Sequence, residues 1–193
     1  MHIVFFLIIC LSGGVLGLAL TAFAVGSGAP LFVRQLNGWS FSPRVGAPDI
    51  DPYARARLFA EGGLPLASGE GFALQSRIDS EGTPLDSSCQ YQLTSPFPVA
   101  RYWTITLVDR SGRLVSNLAE RTGFTSSEIA RNHEGRFSIE IGPDPQAGNW
   151  LPTGRSTGTF EVILRFYETP LAATATQLDI RTLPTLRKTG CPT

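Results

Sequence analysis

From Ile3 to Val25 the chain carries no charged side chain, and this apolar run constrains the protein more than any other stretch. About 23 residues at a rise of about 1.5 Å make a helix of roughly 34 Å, enough to cross a hydrocarbon core of about 30 Å with modest tilt. The chain is therefore expected to touch a membrane at least once. Ala22, Phe23 and Ala24 place small residues at alternate positions, as a signal-peptidase site with cleavage before Val25 requires. Against cleavage, the run is longer than a usual signal core and no lysine or arginine precedes it, which favours an uncleaved single-pass anchor.

The remainder, about 160 residues, is the length of one typical domain with a core of its own. Residues 1–25 are thus read as a transmembrane anchor or signal peptide, 26–50 as a Gly, Ser and Pro-rich linker, and 51–193 as the folded domain. Charged residues make up 17% of the chain and cancel at 16 of each sign, with no block of like charge, so the basic patch a nucleic-acid partner needs is missing.

Orientation rests on two opposed signals. Arg34 and Arg44 follow the apolar run while only His2 and the amino terminus precede it, which by the positive-inside rule leaves the domain in the cytoplasm. The three cysteines argue for export. Cys10 lies in the apolar run; Cys89 and Cys191 lie outside it, far apart, and suit one disulfide that pins the C-terminal tail in an oxidising compartment. In chain-entropy estimates a bridge closing a loop of about 100 residues contributes on the order of 4 to 5 kcal/mol as an upper figure. The alternative is two unpaired structural thiols. Long domains translocate largely regardless of a couple of charges, so the expected location is the inner membrane with the domain in the periplasm. Gly13 and Gly17 form a small-xxx-small pair that would let two anchors meet in a homodimer, although glycine is common in membrane helices in any case.

Within the domain, Asp51 reads as an N-cap and Pro52 as the first position of a helix of about ten residues that runs to Ala60 and stops at Gly62 and Gly63. Beyond Pro65 the period changes to two. Phe72 and Leu74, then Cys89, Tyr91 and Leu93, then Trp103, Ile105 and Leu107 each occupy alternate positions. Leu114 and Val115 start a return strand, Phe137, Ile139 and Ile141 alternate again, and Phe160, Val162, Leu164 and Phe166 form the longest apolar face. One helical turn is expected near Ser126 to Arg131. Six or seven short strands separated by turns predict a mainly β domain, a β-sandwich or jelly-roll-like fold with one or two short helices.

The chemistry-bearing motifs are few. A serine hydrolase needs a histidine base, and His133 is the only one in the domain, within a turn-like Arg131–Gly135 segment and without a Gly-x-Ser-x-Gly elbow. Paired carboxylates for glycoside hydrolysis could be drawn from Asp79, Asp86, Glu140, Asp144 and Glu161, and their spacing in sequence does not say which meet. With two histidines and no Cys-x-x-Cys, no metal site is expected. The glycine-rich stretches lack phosphate-loop and dinucleotide spacing, so no cofactor is expected either.

Two polar and aromatic clusters stand apart: Arg101-Tyr102-Trp103 leading a strand, and Asn149-Trp150-Leu151-Pro152 on a loop ahead of the strand with Arg165 and Tyr167. The run ARYWTITLVDRSGRLVSN at Ala100–Asn117, NWLPTG at Asn149–Gly154 and FEVILRFYETP at Phe160–Pro170 resemble the bacterial Domain of Unknown Function 1214 family. DPYARARLFAEGGLPLASGEGF at Asp51–Phe72 and LPTLRKTGC at Leu183–Cys191 resemble its short membrane-anchored alphaproteobacterial members. The resemblance implies a jelly-roll-like β domain of uncharacterised activity. In longer relatives the module follows a second uncharacterised domain, numbered 1254, and the resemblance implies that a stand-alone copy meets that domain as a separate protein.

Arg101, Asn117, Asn149, Trp150, Arg165 and Tyr167 are the expected lining of a shallow pocket suited to a sugar or a carboxylated ligand. Against this, Asn149 and Trp150 could simply hold a loop and cover the core edge, and Arg165 could pair with Glu161. A binding or partner-docking module is the leading functional expectation. An envelope hydrolase acting on a carbohydrate or ester is the alternative; it requires two close carboxylates or a serine within reach of His133.

Overall fold

The computed structural model describes residues 2–26, 33–60, 66–67, 69–154, 158–170 and 178–191. Helix α1 (His2–Gly26) is long and apolar enough to cross a membrane and buries no residue in the protein. On its surface Gly13 and Gly17 are open, with nothing near the place a Cβ would take. Helix α2 (Pro52–Ala60) starts as expected: the Asp51 carboxylate accepts the Tyr53 and Ala54 N–H groups at 2.8 and 3.3 Å, which satisfies donors that the first turn leaves unpaired. Its expected stop at Gly62 and Gly63 lies outside the described residues.

Among the described residues ten strands follow α1: β1 (Arg34–Leu36), β2 (Trp39–Phe41), β3 (Gly71–Ser76), β4 (Gln90–Thr94), β5 (Tyr102–Asp109), β6 (Gly123–Thr125), β7 (Ser138–Gly142), β8 (Asn149–Pro152), β9 (Phe160–Tyr167) and β10 (Thr185–Gly190). They form two sheets, ordered β1-β2-β3-β9-β5-β6 and β10-β4-β7-β8. All pairings are antiparallel except β7 with β8. The architecture is a mainly β, two-sheet domain.

Alternation explains which face each strand buries. Phe160, Val162, Leu164 and Phe166 of β9, with Trp103, Ile105 and Leu107 of β5, meet Tyr91, Leu93, Ile139 and Ile141 of the other sheet in one continuous core. Aromatic rings join the layers. Trp103 stacks on Phe137 with ring centroids 5.4 Å apart, Phe97 lies against both, and Tyr91 meets Phe160 edge-on at 5.8 Å. The Cys89–Cys191 disulfide forms across a separation of 102 residues and ties the tail beyond β10 to the start of β4. Cys10 is the free cysteine, exposed on α1.

Several elements differ from the sequence expectation. The segment read as a linker supplies the β1–β2 hairpin, turning at Asn37 and Gly38, both with positive φ, and β2 extends the larger sheet through Ser40 opposite Gln75. Trp39 and Phe41 enter the core, and the Trp39 indole N–H donates to the Pro184 carbonyl at 2.7 Å. The return strand at Leu114 is reduced to a single bridge with Val108, and the chain rejoins the sheet at β6. In place of a helical turn, Ser126 to Glu128 form a turn closed by Glu128 N–H donating to Thr125 O. Asn149 and Trp150 lie in strand β8, not in a loop.

Truncating Trp39 to alanine is expected to cost about 3 to 5 kcal/mol, because a fully buried indole and its hydrogen bond are lost together. Truncating exposed Gln35 on the same hairpin should change stability by less than about 0.5 kcal/mol. Urea unfolding of the full chain in detergent measures both.

Candidate functional site

The site is built on the outer face of the larger sheet. Strand β9 lies between β3 and β5, so the residues that alternate with its core side chains, Glu161, Ile163, Arg165 and Tyr167, project away from the second sheet. Register fixes their neighbours. Arg165 stands between Ala73 of β3 and Thr104 of β5, and Thr104 is opposite Thr125 of β6. Tyr167 stands between Gly71 and Tyr102, with the tyrosine rings 5.9 Å apart. An added Cβ at Gly71 would sit 2.0 Å from the Phe166 carbonyl oxygen, so this row tolerates no side chain beside Tyr167.

Ion pairs bracket the face. At one end Arg101 Nη1 meets Glu168 Oε2 at 2.8 Å, both side chains largely exposed. Toward the other end Arg77 Nε donates to Glu161 Oε2 at 3.0 Å, with the carboxylate nearly buried. Glu161 is therefore taken by Arg77, and the alternative pairing with Arg165 does not form. Among the described residues Arg165 makes no hydrogen bond or ion pair, although it is half-buried beside the Thr104 and Thr125 positions.

The other three expected residues sit elsewhere, on β8 and on the segment that leads into β6. Asn149 is buried and its amide is occupied: Nδ2 donates to Ala130 O and Ser138 O, both at 2.9 Å, and Oδ1 accepts from Ala130 N–H at 2.8 Å. Trp150 Nε1 donates to Gly142 O at 3.0 Å. Asn117 holds a tight loop by donating to Arg121 O at 2.8 Å and accepting from Arg121 N–H at 3.1 Å. These polar atoms fasten the chain to itself. The six expected residues do not surround one pocket; Arg165 and Tyr167 share the outer face, Arg101 lies at its end ahead of β5 and pairs with Glu168, and Asn117, Asn149 and Trp150 brace the edge.

At that edge sequence reasoning missed Arg121. Its guanidinium donates to the Trp150 carbonyl at 3.0 Å and lies 5.1 Å above the centre of the Phe124 ring. A shallow, open groove of about 460 Å³ runs beside it, lined by Ala119 to Phe124 and Glu128. The Thr125 hydroxyl and N–H donate to Glu128 at 2.6 and 2.8 Å and hold its carboxyl below the ordinary range. No spacing rule in the sequence links Arg121 to Trp150, since the contact is made across 29 positions.

Of the groups that catalysis would draw on, Asp79, Asp86, Glu140 and Glu161 have partners within the chain, and Asp144 is exposed. His133 is almost fully exposed, 3.9 Å from Glu134. Glu140 accepts from Gln92 at 2.8 Å, Asp86 from the Ser88 hydroxyl at 2.6 Å, and one Asp79 oxygen from two backbone N–H groups of its own turn. The second Asp79 oxygen is buried and has no hydrogen-bond partner among the described residues. No cluster of three metal-ligating side chains occurs among the described residues.

Fold and face together define a β-sandwich module behind an apolar N-terminal helix. The family model described as "Protein of unknown function (DUF1214)" matches residues 70–171, from the start of β3 to just past β9, and the chain belongs to that family. Among solved structures, the VPA0106 protein from Vibrio parahaemolyticus is similar at 20% identity and a TM-score of 0.58, over 72% of this chain and 36% of that one. An uncharacterized protein from Burkholderia cenocepacia is similar at 15% identity and a TM-score of 0.38, over 61% of this chain and 29% of that one. The chain thus spans about a third of the length of the solved structures it matches. The first likeness shows a shared fold. No curated protein matches the chain.

Asn149→Ala should destabilise the domain by about 2 to 4 kcal/mol, since it strands one donor and two acceptors of the backbone. Arg165→Ala should change stability by less than about 0.5 kcal/mol. Denaturant midpoints of the two variants separate a brace from a residue on which the fold does not depend.

Proposed function

We propose that the protein is a single-pass inner-membrane protein whose sandwich lies in the periplasm and works as a docking module. Its binding face is the outer surface of the larger sheet. The observation that carries this reading is Arg165: a half-buried arginine with no hydrogen bond or ion pair among the described residues, in register beside Thr104, with Thr125 one strand further out, and next to the Tyr102–Tyr167 pair. A planar cation flanked by hydroxyls and aromatic faces suits a partner that offers a carboxylate or a comparable anion. The disulfide supports the oxidising location, and α1 supports the attachment. On this sheet the Glu161 carboxylate is already paired with Arg77, which favours binding over hydrolysis there.

The partner we favour is a separate protein resembling the companion 1254 domain. Support comes from the length of the Vibrio parahaemolyticus protein, in which the matched fold is about a third of the chain, so that further polypeptide accompanies it there.

A photo-crosslinking residue replacing Tyr102 should give one discrete adduct in native membranes, and Arg165→Glu in the same chain should abolish it. A crosslinker at Gln92, on the outer face of the other sheet, should give none. An adduct that ignores Arg165→Glu, or equal labelling from both sheets, contradicts the reading, as does the absence of any adduct from Tyr102.

A further inference from the structure

We infer that helix α2 is a second membrane contact, bedded in the lipid headgroup region beside the point where α1 leaves the bilayer; this rests on the reading of α1 as an anchor. Two observations converge on it. First, α1 and α2 touch, and within α1 the half-buried residues are Ala24 and Val25, at its C-terminal end. A helix of 25 residues, about 37 Å long, only slightly exceeds a hydrocarbon core of about 30 Å, so that end lies at headgroup depth and α2 lies there with it.

Second, the face that α2 turns outward has the chemistry of that layer. Ala54 and Leu58 are half-buried and form its packed side. At about 100° per residue, Tyr53, Ala56 and Phe59 fall within an arc of about 120° on the opposite side. All three are exposed, Phe59 to 74% and Tyr53 to 44%. Exposed Arg55 stands beside this arc, its guanidinium anchored to the Pro48 carbonyl at 3.2 Å. Two aromatic side chains on an exposed arc bordered by an arginine match the interfacial belt, in which rings sit at the acyl boundary and cations reach the phosphates. Val33, exposed at the foot of β1, adds apolar surface on the chain that leads away from α1. Two attachments, α1 and α2, then restrict how the sandwich can swivel above the bilayer.

The test uses the full chain with Cys10→Ala and the Cys89–Cys191 disulfide intact, reconstituted in phosphatidylethanolamine and phosphatidylglycerol vesicles. An environment-sensitive fluorophore is placed through Ala56→Cys, through Leu118→Cys on a fully exposed loop, or through Ile8→Cys within α1, and quenched by nitroxides carried shallow or deep on the lipid chains. The Ala56 probe should be quenched several-fold more by the shallow nitroxide than the Leu118 probe is, and Phe59→Asp should bring it down to the Leu118 level. The Ile8 probe should respond to the deep nitroxide. If Ile8 responds and Ala56 behaves like Leu118, the inference is overturned while the anchor stands. A blue-shifted Ala56 probe that neither nitroxide quenches also overturns it, because protein and not lipid then covers the face. A silent Ile8 probe overturns the anchor reading, and the inference with it.

Discussion

The two-sheet architecture and its outer face depend on the burial of one face of β9. The strand carries Phe160, Val162, Leu164 and Phe166 into the space between the sheets while hydrogen-bonding to β3 on one side and β5 on the other. Burying such side chains is worth about 1.5 to 3 kcal/mol each, so a one-residue slip of register, which would turn all four to solvent, is strongly disfavoured. The same constraint fixes the opposite face. Because Phe166 must point inward, Arg165 and Tyr167 must point outward, and they arrive beside Thr104 and Tyr102 by register alone. The composition of the outer face is a consequence of the core.

The second sheet supplies what the first cannot, a cover for that apolar surface. Its closure relies on side chains that act over long sequence distances: Trp39 on Pro184, Asn149 on Ala130 and Ser138, and the disulfide from Cys89 to Cys191. Each fixes an element with little apolar surface of its own. Strand β8 buries Leu151 at the edge of its sheet, and β10 buries Leu186 with polar residues around it. Brace and tether stand in for core there.

That division explains what could be read from the sequence. Strands β3, β4, β5, β7 and β9 are long enough for two or more turns of inward–outward alternation, and all five were legible. Strands β1, β2 and β6 have three residues each, too few for a period, and β1 and β2 sit in a Gly- and Pro-rich stretch that reads as linker. The strand β8 was hidden by Pro152 and by Asn149, a residue whose ordinary use is to hold turns; here its amide reaches across to another segment. The outward pairing of Arg165 with Tyr167 was visible because alternation is local. The separation of Asn117 and Asn149 from them was not, because it depends on where the chain returns after a long loop.

Two features of the chain pull its topology in opposite directions: Arg34 and Arg44 follow the apolar helix, whereas a Cys89–Cys191 bridge belongs in an oxidising compartment. The thiol state in living cells decides between them. Cells are quenched in acid, denatured in detergent and treated with a maleimide that adds a large polymer to each free thiol. An exported domain predicts that one cysteine, Cys10, reacts before reduction and that all three react after it. Reaction of all three without reduction would place the domain in a reducing compartment and contradict the central claim.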